Sequence, residues 1–209
     1  NLNKYKLFER KLINKIDSII EYSIKEKAFP VAQILVLKDG EEVVNKNYGY
    51  HTYDSLIKVS RNSIYDLASI TKPTAGAIAL MKLHENNLLD LNKPLSHYIK
   101  FFNKSRVGDV LIKDYLQHIS GIRPWIPFHS TTKKDDGQFK RKTLSYKQKR
   151  RYKIKLTDDL YLFNNFKKEI YNQIKKTYFV DSDTVLYSGL FFYLIPEIVE
   201  MQTNQTFDK

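Results

Sequence analysis

A serine and a lysine stand three residues apart in the stretch YDLASITKPTAGAIALMKL, residues 65–83. Residues three apart share one face of a helix, so the Lys72 ammonium can reach the Ser69 hydroxyl. A free serine is a weak nucleophile that needs a nearby base, and apolar neighbours can desolvate a lysine enough for it to serve as one. The start of a helix also favours a developing oxyanion. The pair therefore indicates acyl-transfer chemistry at Ser69.

The same serine–lysine spacing occurs at two other places, beginning at Ser55 and at Ser130. Ser55 lies in a polar loop after a predicted hairpin, and Ser130 borders a basic stretch. Only Ser69 stands where a short apolar strand is expected to turn into a long apolar helix. The alternative role for Ser69 is helix capping, because serine is a preferred N-cap residue.

Hydrophobic periodicity predicts the elements that must position this serine. The first half of the chain is expected to hold an amphipathic helix over about 5–27, a hairpin over 31–49, a short strand over 63–67 and a helix over 70–86. The dipeptide Asp39-Gly40 in the middle of the hairpin is a typical turn signal.

The second half is expected to hold a helix that stops at Gly121, an amphipathic helix with apolar residues between 160 and 174, an extended stretch over 184–189 and a last helix over about 190–201. The five histidines show no spacing typical of metal ligands, so neither a metal nor another cofactor is expected. His118 is interpreted as a structural residue that caps or braces the loop after its helix.

The length of 209 residues and the 42% hydrophobic content predict one globular domain over 1–209. The absence of cysteine excludes disulfides and a cysteine nucleophile. The sequence has no apolar run long enough to span a membrane. Its charged opening residues also lack the apolar segment of a secretion signal.

The formal net charge is +12, and much of it lies in residues 133–155, inside an insertion predicted over about 130–157. We interpret this stretch as a solvated, partly mobile surface insertion. The alternative is a surface for an anionic partner. No recognised nucleic-acid-binding fold is visible, so a nucleic-acid partner is not expected.

Three blocks of sequence resemble the family of class C β-lactamases, D-alanyl-D-alanine carboxypeptidases and serine esterases. They are YDLASITKPTAGAIALMKLHENNLLDLNKPLSHYI, IKDYLQHISGI and YSGLFFYLIPEIVEMQTNQTF, which occur in the family's order between about 65 and 207. PWIPF followed by a long polar insertion is similar, more narrowly, to the β-lactamase-like module attached to some glycoside hydrolase family 3 enzymes. Those enzymes act outside the cytoplasm on cell-wall sugars.

The resemblance implies a role for each matching residue. Ser69 matches the family's nucleophile, Lys72 its lysine partner, and Tyr187 the tyrosine of its Tyr-x-Asn motif, which shares proton transfer with the lysine. Gly189 stands at the substrate-binding asparagine of that motif and cannot supply an amide. Trp125, between two prolines, is interpreted either as a wall of the substrate site or as a core anchor.

The resemblance also implies an α+β fold in which helices pack on an antiparallel sheet. The family's later strands, with its Lys/His-Ser/Thr-Gly motif, follow the last helix seen here and are not in this sequence. We therefore expect an incomplete β-lactamase/transpeptidase-like fold, truncated at the C-terminus.

Two functions follow. The first is a serine hydrolase that forms an acyl-enzyme on a peptide, ester or β-lactam carbonyl, in cell-wall metabolism. The second is an impaired fragment or a module that binds a cell-wall glycan or another polyanion. The partners expected from the resemblance are a small-molecule or cell-wall peptide or glycan substrate and a fused glycoside hydrolase module, outside the cytoplasm.

Overall fold

The computed structural model describes residues 2–180 and 185–209. The chain divides into two compact units, residues 1–66 and residues 67–209. The single domain expected over 1–209 stays a prediction. The residues predicted to carry the chemistry all lie in the second unit.

The α-helices are α1 (Leu2–Lys25), α2 (Ile78–Glu85), α3 (Leu95–Tyr98), α4 (Arg106–Asp109), α5 (Ile112–Leu116), α6 (Phe166–Lys175) and α7 (Ile195–Thr203). The strands are β1 (Val31–Lys38), β2 (Glu41–Gly49), β3 (Leu144–Ser145), β4 (Ile154–Thr157) and β5 (Leu160–Leu162). Short 3₁₀ turns cover Ala68–Ile70, Lys100–Phe102, Ser130–Thr132 and Leu190–Tyr193, and a π-helical turn covers Lys72–Ala77.

The first unit confirms the predicted helix and hairpin. β1 and β2 pair antiparallel and are joined by Asp39 and Gly40, whose φ angles of 52° and 84° are those of a tight hairpin turn. α1 packs on β2, where the Lys46 ammonium donates to both carboxylate oxygens of Asp17 at 2.7 Å. This ion pair ties the helix to the sheet.

The strand predicted over 63–67 is wrong. Within the described residues this stretch pairs with no strand, and the Ile64 side chain is 93% exposed. An apolar and aromatic run forms a strand only where a sheet edge is available to pair with it, because β-propensity depends on context. The stretch instead forms an irregular lead into the helical segment.

The second unit packs its helices around one apolar core. The core includes Leu80, Leu83, Leu95, Phe102, Ile112, Tyr115, Ile174, Leu190, Phe191, Ile195 and Ile198. α2 packs against α7, and α3 packs against both α4 and α7. Gly76 lets the π-helical turn Lys72–Ala77 approach this core closely, because a Cβ at position 76 would lie 3.1 Å from Ile195 Cδ1.

The basic insertion is folded. β3, β5 and β4 form a small antiparallel sheet in that order, with Leu162 of β5 opposite both Leu144 and Ile154. The amphipathic helix expected between 160 and 174 begins only at Phe166, since Leu160–Leu162 belongs to β5. These strands escaped prediction because each is only two to four residues long, too short for an alternating apolar pattern to show.

The last part of the chain holds the last predicted helix. Residues 185–189 form no helix or strand, and Thr184 of the stretch predicted as extended lies outside the described residues. A 3₁₀ turn then leads into α7, and no strand follows Leu162 in the part of the chain that the structure describes. The architecture is α+β with antiparallel sheets, as expected.

Candidate active site

Ser69 lies at the start of a helical segment that is not uniform. It sits in the 3₁₀ turn Ala68–Ile70, which leads through the π-helical turn into α2, so the helix predicted over 70–86 is confirmed in position. Pro73 lacks an N–H and disfavours α-helical geometry at Lys72, which accounts for the widened turn there. Such π-helical turns occur frequently at functional sites.

The residue before the serine has a strained backbone. Ala68 has φ +44°, a left-handed conformation that costs roughly 1–2 kcal/mol for a residue with a Cβ. Strain of this kind persists only where the surrounding structure imposes it, and it is concentrated at functional sites. The chain path at Ala68 therefore fixes where Ser69 stands.

Lys72 contacts the serine as the spacing predicts. Its Nζ donates to Ser69 Oγ at 2.9 Å. The other two serines of the same spacing differ: Ser130 Oγ donates to the Pro127 carbonyl at 2.8 Å, and no hydrogen bond joins Ser55 or Ser130 to its lysine in the described part of the chain. The structure thus singles out Ser69.

Tyr187 reaches the pair from more than a hundred residues away in sequence. Lys72 Nζ lies 5.4 Å from the centre of its ring. Hydrogen bonding of the phenol to Ser69, then to Lys72, and the charge of Lys72 lower the pKa of Tyr187 below its usual value of 10.0. The predicted nucleophile, lysine and tyrosine are therefore brought together.

Gly189 lies beside Lys72. A Cβ at this position would stand 3.6 Å from Lys72 Cε and 3.9 Å from Nζ, which is ordinary contact. The two residues also line an apolar cavity of about 280 Å³ with Ala75, Phe192 and others. The position matching the family's asparagine is thus next to the catalytic lysine candidate, but it presents no amide.

Trp125 is not a core anchor, because its side chain is 60% exposed. It follows Pro124, whose carbonyl accepts a hydrogen bond from the Gly189 N–H at 3.0 Å. Among the described residues it does not line the cavity beside Lys72. A role for Trp125 as a wall of the substrate site stays a prediction.

His118 is a site residue whose position the sequence did not reveal. Its ring centre lies 4.7 Å from that of Tyr187. Burial, and then the charge of Lys72, lower the pKa of His118 below its ordinary value. The bracing role predicted for it thus extends to the tyrosine of the site, and the only available signal was its place in the block IKDYLQHISGI.

The described residues hold neither a cluster of metal ligands nor a helix that could span a membrane. No group of three or more histidine, aspartate or glutamate side chains is arranged to hold a metal ion there. None of the helices described is both long enough and apolar enough to cross a bilayer.

Comparisons with known proteins place the chain in a family. Protein flp of Staphylococcus aureus is 36% identical over 111 residues, which are 52% of this chain and 22% of flp. The N-acetylmuramyl-L-alanine amidase of Bacillus subtilis is 32% identical over 155 residues, which are 66% of this chain and 35% of the amidase. The chain therefore spans about a fifth to a third of these relatives.

A solved class C β-lactamase shares the fold. It superposes with a TM-score of 0.66 at 18% identity over 95% of this chain and 46% of its own. The protein-family model Beta-lactamase matches residues 16–155, which is more than half of the sequence. The chain therefore belongs to the β-lactamase family.

Proposed function

We propose that this chain provides the nucleophile, lysine and tyrosine of a serine hydrolase site, and that Ser69 forms an acyl-enzyme on a peptide, ester or β-lactam carbonyl. The observation that carries the proposal is the contact of Lys72 Nζ with Ser69 Oγ at 2.9 Å, with the Tyr187 ring centre 5.4 Å from the same ammonium. A nucleophile and a base within hydrogen-bond reach are the signature of covalent catalysis.

The geometry supports a simple route for the proton. Ser69 Oγ bonds to the carbonyl carbon while its proton passes to the Tyr187 phenolate, which the Lys72 ammonium stabilises. The phenol then returns the proton to the leaving group as the bond from that group to the carbonyl carbon breaks. Water repeats the same transfers to release the acyl group, and N–H groups at the start of the helical segment stabilise the oxyanion.

The setting proposed for this chemistry is the cell wall, outside the cytoplasm. The support is the relationship to an N-acetylmuramyl-L-alanine amidase, whose name specifies an amide bond between an N-acetylmuramyl group and L-alanine. Small-molecule or cell-wall peptide or glycan substrates are consistent with the family. Fusion to a glycoside hydrolase module stays a prediction.

A second candidate is a binding module for a cell-wall glycan or another polyanion. Gly189 supplies no amide to substrate or lysine, and residues 133–155 carry eleven basic and two acidic side chains. Those basic side chains are exposed on the folded insertion, where they can meet an anionic polymer. This candidate predicts binding that weakens steeply with salt and does not require Ser69.

Covalent labelling tests the hydrolase proposal. A fluorophosphonate and a fluorescent β-lactam should label the chain at Ser69, slowly because Gly189 lacks the amide, with the site mapped by mass spectrometry. Ser69→Ala should abolish labelling and Lys72→Ala should nearly abolish it. Ser55→Ala and Ser130→Ala are the matched controls and should change nothing. Equal labelling of the native chain and Ser69→Ala would refute the proposal.

A further inference from the structure

Tyr187 lies in a stretch, residues 185–189, that belongs to no helix or strand, so its position must be set from outside. His118 contacts the chain on both sides of it. The His118 carbonyl accepts from the Leu186 N–H at 2.8 Å, and His118 Nδ1 accepts from the Ser188 N–H at 3.3 Å. The imidazole itself packs on the Tyr187 ring. One residue thus holds the backbone before and after the tyrosine and its ring.

The residues that follow His118 complete the same support. Ser188 Oγ donates to the Arg123 carbonyl at 2.7 Å, and the Gly189 N–H donates to the Pro124 carbonyl at 3.0 Å. These bonds hold the tyrosine segment from its C-terminal side. The other acceptors, at positions 118, 123 and 124, are backbone carbonyls. The bond accepted by His118 Nδ1 is therefore the one whose acceptor a side-chain substitution can remove.

The backbone conformation at position 118 favours glycine over histidine. His118 has φ +58° and lies just after α5, with its N–H bonded to the Tyr115 carbonyl and the Ile119 N–H bonded to the Asp114 carbonyl. This is the bonding pattern of a Schellman cap, in which the left-handed position is usually glycine. A histidine here accepts backbone strain that a glycine would avoid.

We propose that His118 is a positioning residue, which holds the Leu186 and Ser188 amides so that the Tyr187 phenol reaches Ser69 and Lys72. The inference rests on the proposed function for its catalytic meaning, but its geometry is independent of turnover. Because Nδ1 accepts a hydrogen bond, the neutral imidazole carries its proton on Nε2, and the imidazolium cannot make the bond to Ser188. Among the residues that the structure describes, the titratable and charged groups facing the ring are Lys72 and Tyr187, and Phe192 adds an apolar ring at 6.1 Å.

His118→Gly tests this role sharply, because it should relieve the backbone strain while removing the side chain. The folded state should keep close to the native stability, measured by thermal unfolding, because relief of the backbone strain offsets the lost imidazole contacts and the looser unfolded chain. The pKa of Tyr187 should nevertheless move back toward that of an ordinary tyrosine. Tyrosine ring-carbon NMR against pH reads this directly, with Tyr187→Phe to assign the signal, and requires no turnover.

The labelling rate should fall about 10-fold to 100-fold in His118→Gly, since small displacements of a reacting group carry losses of this order. His118→Asn, which tolerates the left-handed conformation and keeps an acceptor, should recover part of the loss. In acid, labelling of the native chain should fall more steeply with pH than that of His118→Gly, because protonation also breaks the Ser188 bond.

The two proposals fail separately. A folded His118→Gly in which the pKa of Tyr187 is unchanged would overturn the positioning role, whatever happens to labelling. A native chain that is never labelled, but in which the pKa of Tyr187 depends on His118, would retain the positioning role and overturn the hydrolase proposal.

Discussion

Asparagine at position 189 should accelerate acylation of Ser69. Gly189 has φ −90° and ψ −10°, a conformation open to any residue, and it precedes a 3₁₀ turn where asparagine is a favoured cap. Its Cβ would lie 3.9 Å from Lys72 Nζ without a clash. The side-chain carbonyl, one bond further along, can then accept a hydrogen bond from the ammonium.

The size of the effect follows from that contact. A hydrogen bond to a charged group contributes about 1.5–3 kcal/mol when it is sheltered from water. The Tyr187 ring beside it is half exposed, so about 1 kcal/mol is a better value for this open site. If that energy is expressed in the transition state, where Lys72 stabilises the phenolate, the rate rises roughly fivefold.

The assay is the second-order rate constant for labelling of Ser69 by a fluorophosphonate. Gly189→Ala is the matched control, because it adds the Cβ and stiffens the unfolded chain without providing an amide. It should raise thermal stability slightly and leave the rate unchanged. If Gly189→Asn is no faster than Gly189→Ala, the amide is not what the site lacks and the reasoning is refuted.

Two further predictions concern stability. Acid should destabilise the first unit, because the hydrogen bond from Lys46 lowers the pKa of Asp17 from 3.8. A carboxylate with a lowered pKa stabilises the folded state fully above its unfolded-state pKa. That stabilisation is lost as the pH falls through its folded-state pKa. Urea unfolding followed by circular dichroism should show this loss between about pH 5 and pH 2, and Asp17→Asn should show less of it. Replacing residues 133–155 with a short Gly/Ser linker should leave the thermal transition nearly unchanged, because the core cluster of the described chain takes no member from 129–169. Loss of soluble protein would contradict that expectation.

Local signals account for what the sequence predicted. The hairpin at Asp39-Gly40 and the helix after Ser69 depend on neighbouring residues, and the contact between Ser69 and Lys72 depends on helical spacing alone. The approach of Tyr187 could not be derived from spacing, since it depends on how the helices of the second unit pack. It was predicted only from the resemblance of its block to a known motif.

Non-local and strained features account for what was missed. The stretch 63–67 has the composition of a strand but no partner, and β5 has two partners that composition did not disclose. The left-handed backbone at Ala68 and His118 could not be predicted either, because only a few per cent of residues other than glycine adopt it. Sequence patterns report local preference, and these positions contradict local preference.

That contradiction is informative about the site. Ala68 precedes the nucleophile, and His118 holds the tyrosine, and both adopt a conformation that glycine would occupy without strain. Each position stores roughly 1–2 kcal/mol that tertiary contacts must offset. At His118 the imidazole accepts a hydrogen bond from the Ser188 N–H and contacts the Tyr187 ring. The role of these two contacts can be tested by substitution. Glycine would occupy this conformation without strain but could make neither contact, which ties the imidazole to the placement of the phenol.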